Sequence, residues 1–320
     1  MSILKNKSVL STVSPFAFRC LLTSGHQGRI IPVDGTWYMP NVPKNGKTQF
    51  LTEERLENAA FFDLDKIALP GSKYPHMLPT YSGFKEAMEQ LKLTRDDKIV
   101  VYDKQGIFSG PRVAWTFALF GHPKVYLLDT YKVYKDGFDY PIETNVVESI
   151  STPLNTEAEA YDMVSEAQFN DNYAQNVIEY EELLSLVESG ELEKEYITFD
   201  ARSADRFSGA APEPRPGLSS GHVPSAKSLP FNKLLQPDGT YKLKEELIEL
   251  FLNDYGLDLV TPDLNGKKGI IVMCGTGVTA VIIRFAIEGV IGADVPIRVY
   301  DGSWTEWAQR APSEYIVKDA

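Results

Sequence analysis

The feature that most limits what this chain can fold into is an internal duplication. Ordered blocks recur at an offset of roughly 165–172 positions, and self-similarity on that scale sets the architecture before any local preference does. In the first half, Val33-Asp34 is followed by Phe61-Phe62-Asp63-Leu64-Asp65, by Ile99-Val100-Val101-Tyr102-Asp103, by a helix-like run from Pro111 to Phe120, and by Val125-Tyr126-Leu127-Leu128-Asp129. In the second, Ile197-Thr198-Phe199-Asp200 precedes Ala226-Lys227-Ser228-Leu229-Pro230, then Ile270-Ile271-Val272-Met273-Cys274, a helix-like run from Val278 to Val290, and Ile297-Arg298-Val299-Tyr300-Asp301. Short β-rich runs alternating with helical segments predict an α/β domain around a mostly parallel sheet flanked by helices. The repeat predicts two of them. The expected division is a first domain over 1–141, an acidic linker over 142–178 with seven acidic residues and no Lys or Arg, and a second domain over 179–320.

Composition narrows the function classes. A length of 320 residues suits two cores, and 43% hydrophobic with 24% charged residues is the balance of folded domains. The net charge of -12 offers no broad basic surface, so direct binding to a nucleic-acid backbone is not expected. A small anion would need a local cationic pocket. With only Cys20 and Cys274, and no secretory h-region, a disulfide framework is not expected and a reducing compartment is, either cytosol or mitochondrial matrix. Residues 1–33 hold Lys5, Lys7, Arg19 and Arg29 without an acidic residue, a weak transit-peptide pattern; Ser14 to Leu22 reads better as the cap and start of a first helix. Residues 269–293 are apolar enough to suggest a membrane span, yet Gly275, Gly277, Arg284 and Glu288 interrupt them. A strand, a loop and a buried helix are expected there instead, and no membrane association.

The two copies diverge where open α/β sheets bind ligands, at the end of a central strand. Aligning the Ile-Val runs sets Asp103 against Cys274. A carboxylate cannot carry a sulfane sulfur, so thiol chemistry is expected of the second copy alone. Cys274-Gly275-Thr276-Gly277-Val278-Thr279-Ala280 leads from that strand into an apolar helix. A loop with two glycines can turn successive backbone N–H groups toward one point, and the following helix adds its positive end. Such a site stabilises negative charge on sulfur, and the thiolate is the nucleophile. An isolated free cysteine is more often a small buried apolar residue; the strand-to-helix glycine loop argues against that for Cys274, whereas Cys20 has no such setting.

At this point the chain resembles a known family. Asp200-Ala201-Arg202, Arg206-Phe207, Pro212-Glu213-Pro214-Arg215, Ser220-Gly221-His222-Val223-Pro224, Cys274 to Ala280 and Tyr300-Asp301-Gly302-Ser303-Trp304 stand in the order found in the rhodanese and mercaptopyruvate sulfurtransferase family. Phe61 to Asp65, Tyr74-Pro75-His76-Met77-Leu78-Pro79, Ser109-Gly110-Pro111-Arg112 and Gly121-His122 extend the likeness over nearly the whole chain. The resemblance implies two tandem rhodanese-like domains, the first inactive, and sulfur transfer through a Cys274 persulfide. A loop beginning Cys-Gly-Ser/Thr-Gly-Val is similar to that of members using 3-mercaptopyruvate, while members preferring thiosulfate place Arg and Lys after the cysteine. The charge logic agrees: thiosulfate is a dianion, whereas one carboxylate can be gripped by a guanidinium fork.

By the same resemblance, Arg206 and Arg215 hold the donor's carboxylate and keto group, and Gly275, Gly277, Val278 and Thr279 line the donor with the loop backbone. Thr276 supplies a hydroxyl for hydrogen bonding or proton transfer, and Asp65 and His76 match a pair that works with it. His222 shapes the active domain. One departure is Leu56-Glu57-Asn58-Ala59-Ala60 in place of the Gly-His-Ile-Pro-Gly turn of many relatives, which puts that loop's geometry in doubt. His26, His76, His122 and His222 with two distant cysteines lack metal-ligand spacing, so neither metal nor cofactor is expected. The implied partners are a small sulfur donor and an acceptor: cyanide, a small thiol, a thioredoxin-like reductant or a protein cysteine. Eukaryotic relatives are implicated in passing sulfur to the ubiquitin-like pathway that thiolates transfer RNA, which would make a ubiquitin-like-activating enzyme an acceptor. Competing readings are thiosulfate:cyanide transfer, a non-enzymatic sulfur-relay or interaction protein, and a phosphatase or arsenate reductase. The last needs an Arg where Ala280 stands, and Arg284 lies a turn too far.

Overall fold

The computed structural model describes residues 10–24, 28–154, 160–261 and 264–319. His26, Lys5 and Lys7 lie outside them. The chain divides into two compact units, one of residues 1–70, 78–170 and 236–241, the other of 71–77, 171–235 and 242–320.

In chain order the first unit contains β1 (Leu10–Val13), α1 (Pro15–Thr23), β2 (Ile30–Asp34), α2 (Gly46–Thr52), β3 (Ala60–Phe61), α3 (Tyr81–Gln90), β4 (Lys98–Tyr102), α4 (Gly110–Leu119) and β5 (Val125–Leu128). Its sheet has the order β1-β5-β4-β2-β3 with every pairing parallel. β4 lies at the centre, and its Ile99 to Tyr102 run is buried throughout, as expected where helices cover both faces. The expected first helix is α1, capped by Ser14 Oγ accepting from the Ala17 N–H at 3.2 Å. α4 is buried along its whole length. The core gathers Phe18, Phe50, Phe61, Val100, Tyr102 and Tyr134.

The segment expected to link the domains does more than connect. Its first part runs along the first unit: the Val147 N–H donates to the Leu51 carbonyl at 2.9 Å, and the Ile150 carbonyl accepts from Phe61 N–H at 2.8 Å. Arg55 binds Glu143 through its side chain at 2.7 Å and pairs with it through the backbone. A run without Lys or Arg reads as a solvated spacer, but partners 90 residues away in sequence are invisible to local pattern. Further on it forms α5 (Glu166–Asn176), where the units divide, and β6 (Val177–Ile178).

The second unit continues with α6 (Tyr180–Glu188), α7 (Glu191–Glu195), β7 (Tyr196–Asp200), α8 (Ala204–Ser208), β8 (Lys227–Ser228), α9 (Lys244–Tyr255), β9 (Gly269–Met273), α10 (Ala280–Phe285), β10 (Ile297–Tyr300) and α11 (Ser303–Arg310). The order β6-β10-β9-β7-β8, again all parallel, reproduces the first sheet strand for strand. Residues 269–293 become β9, a loop, and a buried helical run that passes from α10 into wider π turns over Ala286–Ile291. Among the described residues no helix is long and apolar enough to cross a membrane.

The departure at residues 56–60 leaves the turn intact. The Ala59 N–H donates to the Leu56 carbonyl at 3.2 Å around Asn58 at φ 61°, and in the second unit the Ala226 N–H donates to Val223 at 3.1 Å around Ser225 at φ 63°. Asn tolerates the left-handed region well enough to stand where relatives use other residues.

Candidate active site

Cys274 follows the central strand of the second sheet and is 2% exposed. Its backbone is fixed from the next strand and helix. The Cys274 N–H donates to Ser303 Oγ at 3.2 Å, and that hydroxyl donates to the Tyr300 carbonyl at 2.8 Å. The Cys274 carbonyl accepts from Trp304 N–H at 2.9 Å, and the Gly275 carbonyl accepts from both the N–H and Oγ1 of Thr305, at 2.9 and 2.7 Å. Ser303 reaches these partners from φ 50°, a conformation that costs a non-glycine residue energy and persists only where its surroundings impose it. Gly277 at φ 74° then turns the chain toward α10. Val278 is buried and Thr279 half-buried just before that helix.

Thr276 is buried, with its Oγ1 3.1 Å from His76 Nδ1, a hydrogen bond whose direction follows the imidazole tautomer. His76 is itself buried, at φ 62°. Placing it in the first domain from sequence order does not match the packing: residues 71–77 belong to the compact unit that holds Cys274. Asp65 lies in the first unit, where it accepts from the Trp37 indole N–H at 3.1 Å.

Arg206 leaves α8 and lies over the cysteine loop. A Cβ added to Gly275 would stand 3.2 Å from its Nη2, so glycine gives the guanidinium room to settle there. Glu213 grips Arg206 with both oxygens, Nε to Oε1 at 3.1 Å and Nη2 to Oε2 at 2.5 Å. The same Glu213 accepts from Arg202 Nη1 at 2.7 Å. Arg202 binds Asp200 through Nε and Nη2 and the Gly221 carbonyl through Nη2, and its guanidinium lies 4.3 Å from the centre of the Trp304 ring. Burial opposes the charge of Arg202, but Asp200 and Glu213 outweigh it and hold the group above its ordinary pKa. Arg215 is half-buried on the same loop. His222 stacks on Phe207 with ring centres 4.0 Å apart and bonds the Phe207 carbonyl at 3.0 Å. Glu213 and Ser303 were readable only as members of motif blocks; their spatial partners gave them meaning.

The first unit shows what the same loop does around a carboxylate. Asp103 follows β4 as Cys274 follows β9, and accepts backbone N–H bonds from Gln105 at 3.0 Å, Phe108 at 3.1 Å and Gly110 at 2.7 Å. Burial pushes this carboxyl up to about 7, against the pull of those three donors. His122, for which the sequence offered no partner, lies between the Tyr161 hydroxyl at 2.5 Å and the Asp97 carbonyl at 2.9 Å. Among the described residues no three His, Cys, Asp or Glu side chains come together as metal ligands would.

Comparison with known proteins places this geometry. Residues 179–310 match the model of the rhodanese-like domain. The chain is 43% identical over 309 residues to the thiosulfate sulfurtransferase TUM1 of Saccharomyces cerevisiae, covering 96% of this chain and 97% of that protein. The chain belongs to the rhodanese family of sulfurtransferases. A thiosulfate/3-mercaptopyruvate sulfurtransferase of Arabidopsis thaliana, named as mitochondrial, is 35% identical over 86% of this sulfurtransferase and 71% of its own length. The crystal structure of Tum1 from Saccharomyces cerevisiae superposes with a TM-score of 0.85 at 40% identity, covering 98% of this chain and 99% of that one. This sulfurtransferase is therefore an enzyme that takes sulfur from a small donor and delivers it to an acceptor, built as two parallel α/β sheets of the tandem rhodanese fold.

Proposed function

We propose that the second unit carries the reaction on Cys274, with 3-mercaptopyruvate as the favoured donor. The supporting observation is the loop itself: Gly275 and Thr276 bring no positive charge beside the sulfur, and the cation above them, Arg206, is already matched by Glu213. Arg206 and Arg215 hold the donor's carboxylate, with Gly277, Val278 and Thr279 shaping the loop. The Cys274 thiolate attacks the donor sulfur, the sulfur–carbon bond breaks, and its electron pair leaves as the enolate of pyruvate, which takes up a proton. The Thr276 hydroxyl, held by His76, is placed to supply or relay that proton. An incoming thiolate or cyanide then attacks the outer persulfide sulfur, the S–S bond breaks, and the Cys274 thiolate returns. No metal or other cofactor takes part. The first unit, with Asp103 at the matching position, serves as scaffold.

For acceptors we propose a small thiol, a thioredoxin-like reductant or a protein cysteine, the last including a ubiquitin-like-activating enzyme feeding transfer-RNA thiolation. The mitochondrial relative supports a mitochondrial site of action, with the cytosol as the alternative. The name of the yeast relative favours a second reading, thiosulfate as donor. The ratio of catalytic efficiencies separates the two: mercaptopyruvate should win by at least about tenfold, near 1.4 kcal/mol of differential transition-state binding. A preference for thiosulfate overturns the donor assignment.

A further inference from the structure

The Glu213 side chain is 3% exposed, against 20% for that of Arg206, and is shared by two guanidinium groups. It connects the deeply buried pair of Arg202 and Asp200 to the arginine lying over Gly275. Two consequences follow. A bidentate grip fixes the plane of a guanidinium as well as its position. And the four groups Asp200, Arg202, Glu213 and Arg206 sum to zero charge, so Arg206 offers the donor a hydrogen-bonding fork with little net field behind it. Such a fork suits a single carboxylate. A dianion gains more from every uncompensated positive charge near the sulfur, because Coulomb energy scales with the product of charges.

From this we infer that Glu213 is a positioning residue that also sets donor specificity: it holds Arg206 over the cysteine loop and cancels the charge that would otherwise favour a dianionic donor. The inference rests on the reading of Cys274 as the sulfur carrier and Arg206 as the donor's clamp.

The test compares wild type with Glu213→Gln and Glu213→Asp, measuring kcat/KM for mercaptopyruvate and for thiosulfate and the persulfide on Cys274 by mass spectrometry. Gln keeps the size and removes the charge, so the thiosulfate-to-mercaptopyruvate ratio should rise by about fivefold or more, mainly through KM. Asp keeps the charge but is too short to grip Arg206 as Glu does, so both efficiencies should fall while the ratio stays within about twofold of wild type. A Gln ratio equal to wild type, with both donors losing equally, overturns the inference, as does a ratio that moves equally in Gln and Asp. Should the Gln variant not fold, a shifted ratio in Asp alone still contradicts it. Absence of persulfide on Cys274 in wild type would instead defeat the underlying reading of the site.

Discussion

Thr276 and His76 stand 200 residues apart in sequence and are joined side chain to side chain at 3.1 Å. Both are buried, so the pair is held in place and the hydroxyl is fixed two residues from Cys274. Thr276→Val should lower kcat/KM for mercaptopyruvate by roughly a hundredfold, the lower end of the range for losing one proton-transfer group. It should also cost about 1–3 kcal/mol of stability by removing the hydrogen bond to His76 Nδ1. Thr276→Ser should retain most activity. Valine kinetics equal to wild type would mean that the hydroxyl serves packing alone.

Gly275→Ala tests the closeness of Arg206 to the loop. The new methyl would lie 3.2 Å from Nη2, so the guanidinium must shift by a few tenths of an ångström. KM for mercaptopyruvate should rise by about threefold to tenfold with thermal stability nearly unchanged, since misplacing a clamp costs binding before it costs fold. Unchanged KM would show that the donor does not depend on that placement.

Arg206→Ala and Arg215→Ala should each weaken mercaptopyruvate use by roughly 1.5–3 kcal/mol in kcat/KM, the range for a lost charge-assisted hydrogen bond. Steady-state kinetics on the two single variants decide it. If neither changes, these arginines belong to the protein's own ion-pair network and not to the donor.

Asp103 makes the first unit sensitive to pH. Its carboxyl is raised to about 7 by burial, whereas in the unfolded chain it titrates near 4. Between those values the folded state holds the extra proton, so stability is lost as pH rises through the window, and above about 7 a buried charge remains. Asp103→Asn stays neutral throughout. From about pH 5 to about pH 8 the stability of the Asn variant relative to wild type should improve by roughly 2–3 kcal/mol, read from urea unfolding at the two values. A difference independent of pH would contradict the raised carboxyl.

Much of this was legible in the sequence because the duplication acts on local pattern. The Ile-Val runs that end in Asp103 and Cys274 became the central strands of matching sheets, and Ser14 announced its helix. What could not be read depends on packing between distant segments. His76 follows the Phe61 to Asp65 block in sequence but clusters with the second unit, while residues 236–241 cluster with the first. In the latter, the Tyr241 N–H donates to Asp129 at 3.2 Å from 112 positions away. Glu213 sat in a loop of Pro and Glu that reads as solvated surface, and only its two arginines show otherwise. The acidic run after residue 142 carries no periodic signal, yet Arg55 and Leu51 give it partners.

The proposed mechanism passes sulfur through Cys274. Mass spectrometry of the intact protein and its peptides after treatment with mercaptopyruvate, before any acceptor is added, tests it most directly. One added sulfur atom should appear on the peptide containing Cys274, disappear when cyanide or a thiol is supplied, and be absent from Cys274→Ser, whose fold should be retained because the replacement is nearly isosteric. Added sulfur confined to the exposed Cys20, or sulfur transfer persisting in Cys274→Ser, would contradict the account.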